Sequence, residues 1–352
     1  MRKRHMMYAL SAATVTATCL GAAPPTDMKV RHVVRAGDSI QEAVDSARPG
    51  DTVVVSPGTY RESVRIDTSD VTLRGSGPRT EIVPDGTRAD SACAQSGNGI
   101  CVTGKAGDPV QNVTIRSLTV AGFKKNGVWA TATDRLTVRG VTSRKNGQWG
   151  IAQEKSVRGT FQDNKAIDNG DAGIFLANTV NEEGGALDTR GAAIEDNLLT
   201  GNRIGITVRR VRNLTVDDNE LTGNCAGVFI VGDESRPKAG AMKVRGNEVI
   251  ENNKHCPGNS RLPFIQGSGI VLTGAEETLV QGNYIRNNVG TSPMSGGIVL
   301  FRSFVGTQNE RNVISDNLML LNKPADLANR DTGTGNRFVR NMCRSSEPAN
   351  LC

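Results

Sequence analysis

Short apolar runs that open on a glycine recur along the chain: "WGIAQE", "DAGIFLAN", "IGITVR", "AGVFIV", "SGIVLT" and "GGIVLF". With one earlier copy they place glycines at Gly127, Gly150, Gly173, Gly205, Gly227, Gly269 and Gly297, and Asp326 takes the next place. The closest spacings are 22 and 23 residues and the others are longer, so the period carries insertions. After each glycine the residues alternate. Val128, Ile151, Ile174, Ile206, Val228, Ile270 and Ile298 come first, and two positions on come Ala130, Gln153, Leu176, Val208, Ile230, Leu272 and Leu300. Alternation of period two predicts a strand with these residues inward.

Asparagines five residues apart form a second repeat: Asn164/Asn169, Asn197/Asn202, Asn219/Asn224, Asn247/Asn252, Asn283/Asn288, Asn317/Asn322 and Asn336/Asn341. Apolar residues lie between them. Asn tolerates the left-handed backbone of tight bends, and stacked amides bond to their copies above and below. A turn of 22 residues holding three short strands, repeated and stacked, accounts for both repeats. A flat sandwich does not explain the fixed spacing. The expected fold is all-β, a parallel coil of about ten turns, with Gly127 to Gly297 at its bends. One helix is expected, in "GDSIQEAVDSARPGD" (37–51). Ser39 and Glu42 make a capping-box pattern there, and Ile40, Ala43, Val44 and Ala47 share a face that covers the N-terminal end.

Composition agrees. Aromatics are 4% of the 352 residues, whereas Gly (40) and Pro (13) are plentiful, which suits many turns. "MRKRH" followed by an apolar stretch ending in Gly21-Ala22-Ala23 reads as a secretory leader over residues 1–23. Its removal takes away Arg2, Lys3 and Arg4 and no acid, lowering the net charge from +6 to +3. That balance, with three histidines, argues against a nucleic-acid partner. The expected organisation is leader 1–23, linker 24–32, coil domain 33–343 and tail 344–352. No membrane span is expected. Cys19 offers lipid anchorage as a lesser alternative to free secretion. Beyond it lie Cys93, Cys101, Cys225, Cys256, Cys343 and Cys352, an even number that in an exported chain reads as disulfides. Of the 15 pairings, the nearest-neighbour one is favoured. No metal-ligand spacing is present.

"GDSIQEAVDSARPGDTVVVSPGTYRESVRI", with the coil repeats after it, resembles the right-handed parallel β-helix proteins of the pectin-lyase-like superfold. It is most similar to the secreted right-handed β-helix repeat proteins of actinobacteria, over residues 33–343. The resemblance implies the fold. It leaves activity open, since the superfold holds polysaccharide lyases, glycoside hydrolases, uronan epimerases, pectin esterases and non-catalytic members.

Chemistry is sought on the outward side of the Gly-repeat strand. One outward column reads Trp129, Ala152, Phe175, Thr207, Phe229, Val271, Val299, and the next reads Thr131, Glu154, Ala177, Arg209, Val231, Thr273, Phe301, Arg330. Trp129, Phe175, Phe229 and Phe301, with Arg302 and Arg330, suit binding of an acidic polysaccharide: aromatic faces for sugar rings, guanidinium groups for carboxylates. Glu154 with Glu182 or Glu183 is the best acid pair, and Arg209 and Arg210 are the best basic groups for a lyase. The inserts 178–191 and 232–241 follow this strand and would equally serve to bury the aromatics. Several family patterns are absent: His-Gly-His and paired outward aspartates, Arg-x-Pro-x-x-Arg, and Asp-Pro-His-Asp. His255 reads as a loop residue. No cofactor is implied, and Ca2+ only if the chemistry is that of a lyase. Two readings remain: a secreted polysaccharide lyase or hydrolase, toward which the sequence leans slightly, and a non-catalytic glycan-binding or structural protein. Oligomeric state is not encoded in any motif found.

Overall fold

The structure, a computed structural model, describes residues 29–86, 91–180, 182, 184–259 and 262–352. The expected leader and Glu183 lie outside the described residues, as do residues 24–28 of the expected linker. The first described strand, Arg31–Val34, begins inside that linker and pairs with Thr52–Val55.

Short strands stack into three long sheets of twelve, ten and eleven strands among the described residues. Neighbours in all three are parallel, and each strand pairs with its counterpart one coil on, as Thr137–Arg139 does with Thr160–Gln162. The third sheet holds the Gly-repeat strands. Its register reproduces both outward columns: Trp129–Ala152–Phe175–Thr207–Phe229–Val271–Val299 lie side by side, and so do Thr131–Glu154–Ala177–Arg209–Val231–Thr273–Phe301–Arg330. The inward residues are buried in one continuous core along the coil. Gln153 is the polar exception, buried with its Oε1 unpartnered.

The repeated glycines have a different cause from the one the spacing suggested. Gly173 lies within the strand Ala172–Ala177, not at a bend. A Cβ there would sit 2.8 Å from the carbonyl oxygen of Gly205 in the next coil, and at Gly297 the carbonyl of Asp326 would be 2.3 Å away. Stacked backbones approach too closely for any side chain, so close approach rather than bending selects glycine.

The asparagines form two amide ladders. One runs Asn164–Asn197–Asn219–Asn247–Asn283–Asn317–Asn341, each Nδ2 donating to the next Oδ1 at 2.8–3.0 Å. The other runs Asn146–Asn169–Asn202–Asn224–Asn252–Asn288–Asn322 and ends on Asp326 Oδ1. Two expectations are corrected. The left-handed residue at each bend is the one before the asparagine: Asp163, Asp168, Asp196, Gly201, Asp218, Gly223 and Glu251 all have φ between 53 and 71°. The ladder asparagines themselves are buried. The pair Asn336/Asn341 is out of phase, because Asn341 closes the first ladder while Asn336 accepts from Asn312 in a separate short rung.

The ends are closed. Helix α1 (Ile40–Ser46) buries Ile40 and Val44 against the first coil. Ser39 caps it, its Oγ accepting from Glu42 N. The expected return bond from Glu42 is replaced by Glu62, whose carboxylate accepts from Ile40 N and Gln41 N and from Ser39 Oγ. A carboxylate 21 to 23 residues away in sequence from the groups it accepts from thus compensates the positive end of the helix. At the other end Cys343 and Leu351 pack on the core, tied by the Cys343–Cys352 disulfide. Cys93–Cys101 and Cys225–Cys256 complete the nearest-neighbour pairing.

Candidate functional site

The outer face of the third sheet is not bare. Inserts that follow or precede its strands rise beside it and leave a groove of about 1040 Å³. Trp129, Phe175 and Phe229 line this groove, and so do Glu154, Glu182, Arg209 and Arg210. Phe301, Arg302 and Arg330 are not among its lining residues. Phe301 packs half-buried with Phe304. Arg302 is exposed and its Nε donates to Gly306 O at 3.4 Å. Arg330 is committed to the C-terminal end: Nε donates to Glu347 Oε2 at 2.9 Å and Nη1 to the carbonyls of Pro293 and Ser295.

Aromatic packing divides the face into two patches. In the first, Trp129 stacks on Trp149 at 5.8 Å, and Trp149 on Phe175 at 4.0 Å with the rings nearly parallel. Trp149 and Phe175 are each 5% exposed, whereas Trp129, at the end of the stack, is half-buried. Trp149 Nε1 donates to Asp171 Oδ2 at 3.2 Å, satisfying the one polar atom of the indole. In the second patch Phe229 is 2% exposed, sealed by Ile265, Met294 and the insert that Cys225–Cys256 pins down. For Phe229 the covering role of the inserts prevails.

Trp149 was not found from the sequence. Alternation extrapolated back through Gly150 sends it inward, but Trp149 joins Ala172 and Phe175 on the outer side. The signal was available: "NGQWG" carries a tryptophan where the equivalent places hold Ala172, Ile204 and Ala226.

The charged groups fall into committed and poised sets. Arg210 is 8% exposed, its Nε paired with Asp233, and Nη1 donates to Thr179 Oγ1 at 3.2 Å and to Glu182 O. Asp233 Oδ1 also accepts from Ser235 N. Glu182 turns its carboxylate to Lys155 Nζ at 3.0 Å, a contact that raises the Lys155 pKa. The expected pair Glu154 and Glu182 therefore shares the groove, but Glu182 is engaged elsewhere. Glu154 Oε1 accepts from Val180 N at 2.9 Å, and its Oε2 has no partner among the described residues. Arg209 stands two strand steps away in the same column, about 10 Å along the sheet. Its Nη1 donates to Val180 O at 3.3 Å. His255 stacks on Phe264 in its loop, outside the groove lining.

Parallel coils, ladders and register define the class: this is a right-handed parallel β-helix protein. The family model described as "Right handed beta helix region" matches residues 88–249, and that described as "Periplasmic copper-binding protein (NosD)" matches residues 178–350. Among solved structures, the A-module of a mannuronan C-5 epimerase from Azotobacter vinelandii is similar with a TM-score of 0.64 at 19% identity, over 87% of this chain and 90% of that one. An alginate lyase from Paenibacillus sp. is similar with a TM-score of 0.59 at 14% identity, over 90% and 98%. No curated protein matches significantly in sequence. At these identities the likeness carries the fold alone. All six described cysteines are in disulfides, and among the described residues no three His, Cys, Asp or Glu cluster to hold a metal ion.

Proposed function

We propose that the protein is carbohydrate-active outside the cytoplasm, and that its groove binds an acidic polysaccharide and cleaves it as a lyase or hydrolase. The observation that carries this is Trp129, half-buried at the end of a stacked aromatic run, on the same face as Glu154 and Arg209. An indole face accepts the C–H face of a sugar ring, Arg209 suits a substrate carboxylate, and Glu154 Oε2 is placed to move a proton. The structural neighbours named as a mannuronan C-5 epimerase and an alginate lyase agree with this reading. Three disulfides support an oxidising compartment, and no helix among the described residues is long and apolar enough to cross a membrane.

The test is incubation with uronans, glucans and fructans, read by mass spectrometry. Unsaturated products report a lyase, and products carrying an added water report a hydrolase. Glu154→Gln and Arg209→Met should each lower turnover by about 100-fold or more, and Trp129→Ala should weaken binding. Glu42→Ala, on the capping helix, should change nothing. Absence of both binding and turnover across the panel overturns the proposal. A second reading, glycan binding without cleavage, is favoured by the neutralising pairs Arg210–Asp233 and Lys155–Glu182. It predicts glycan-array binding with no product.

A further inference from the structure

Arg210 was expected to meet substrate, yet its guanidinium is turned into the wall of the groove. It follows the strand Ile204–Arg209 with a left-handed backbone (φ 52°) that swings its side chain away from its neighbour Arg209. There it joins two inserts. Toward one it meets Asp233 through Nε, and toward the other it meets Thr179 Oγ1 and the carbonyl of Glu182 through Nη1. The inserts also touch directly, Ala186 N donating to Pro237 O at 2.7 Å. Between Thr179 and Glu182 lies Val180, whose N–H holds Glu154 Oε1 and whose carbonyl receives Arg209 Nη1. One short segment, fixed from behind by Arg210, therefore grips both groups assigned to chemistry from the front.

The geometry points to Arg210 as a positioning residue: through Thr179 and Glu182 it sets Val180, and Val180 orients Glu154 and Arg209. The inference rests on the proposed function for its catalytic consequence but not for the clamp itself. Fork-shaped donors suit this task, since one planar group fixes several acceptors at once. Loss of the fork frees the segment without emptying the coil core, because Val208 and Ile206 beneath it keep their packing. The same interlock explains why Arg210 is buried although it forms the tight bend between the strands Ile204–Arg209 and Val211–Asp217.

The experiment compares wild type, Arg210→Met, Arg210→Lys and Asp233→Asn by amide hydrogen exchange and by kinetics on a polysaccharide that the panel identifies. In Arg210→Met the Val180 amide should exchange about tenfold faster or more while the strands Ala172–Ala177 and Ile204–Arg209 stay protected. Turnover number should fall toward that of Glu154→Gln with little change in KM, and the two substitutions together should cost no more than the larger alone. Arg210→Lys should restore part of both signals. Asp233→Asn, which keeps the shape of the site, should show a weaker form of them and serves if Arg210→Met does not fold. Wild-type protection at Val180, or additive losses with Glu154→Gln, overturns the assignment. If no glycan is turned over, the proposed function falls while the exchange result still decides the clamp.

Discussion

At the scale of single residues, each ladder asparagine is held by hydrogen bonds to the coils on either side of it. Asn219 receives Asn197 N and Nδ2 on Oδ1, and its Nδ2 donates to Ile194 O and Asn247 Oδ1. An aspartate there would turn two donating contacts into opposed oxygens. Asn219→Asp should therefore destabilise the protein by about 3 kcal/mol or more, checked by urea unfolding against Asn350→Asp, an exposed position near the C-terminus. The five-residue spacing made these positions legible in the sequence, since a ladder requires an identical residue in every coil. The left-handed residue beside each was harder to see. Asp, Gly, Glu, Asn, Leu and Arg all occupy that place, because nothing but a backbone angle is asked of it. The role of Arg210 was equally hidden: of two adjacent arginines, Arg209 ends a strand and Arg210 takes a left-handed backbone, a difference that their side chains do not announce.

At the scale of elements, the N-terminal cap is held by carboxylates the chain brings from elsewhere. Asp51 is nearly buried and accepts from Val30 N, Arg48 N and His32, tying the first strand to the turn after α1. These bonds, the Arg48 amide first, hold its pKa down to about 2, from an ordinary value of 3.8. A depressed carboxylate pKa favours the folded state fully above the unfolded pKa and loses that contribution as pH falls through the folded one. Stability of the cap should thus decline between about pH 4 and pH 2. Asp51→Asn should start less stable at neutral pH and show a flatter acid limb, measured by thermal melts across that range. The helix itself was legible from its apolar face and Ser39. Its carboxylate partner was not, since Glu62 is brought to Ile40 and Gln41 only by the first coil closing.

For the whole molecule, the coil is the unit of assembly. The 22 residues Asn197–Asp218 begin on a ladder asparagine and end on a left-handed aspartate, and Asp196 before them is left-handed too. Their removal joins Asp196 to Asn219 in the same local geometry, and Asn164 finds Asn219 as its new partner. This deletion, made with Asp233→Asn to relieve the lost Arg210, should give a folded and cooperative protein lacking groove activity. Removing Asn197–Thr207, half a coil, should abolish folding. Far-UV circular dichroism and denaturant melts separate the two outcomes. Stacking also explains what the sequence conveyed well and what it did not. Inward columns, outward columns and disulfide pairs repeat or lie close along the chain, and the structure reproduces them. The groove walls come from inserts outside the period, so which aromatic they cover, Phe229, and which they leave half-open, Trp129, emerges only when the inserts are folded.

The buried amides also bear on chemical ageing. The chain contains four Asn-Gly sequences, at Asn98, Asn126, Asn146 and Asn169, the pairing in which the glycine nitrogen most easily attacks the side-chain carbonyl and expels ammonia. All four asparagines are buried with Oδ1 accepting hydrogen bonds from another coil. That attack needs the side chain to rotate back onto its own backbone, which these hydrogen bonds oppose. A folded molecule should therefore keep these amides for as long as it stays folded. An unfolded one that loses them acquires carboxylates where the stack requires donors, so deamidation would turn a reversible unfolding into a permanent one.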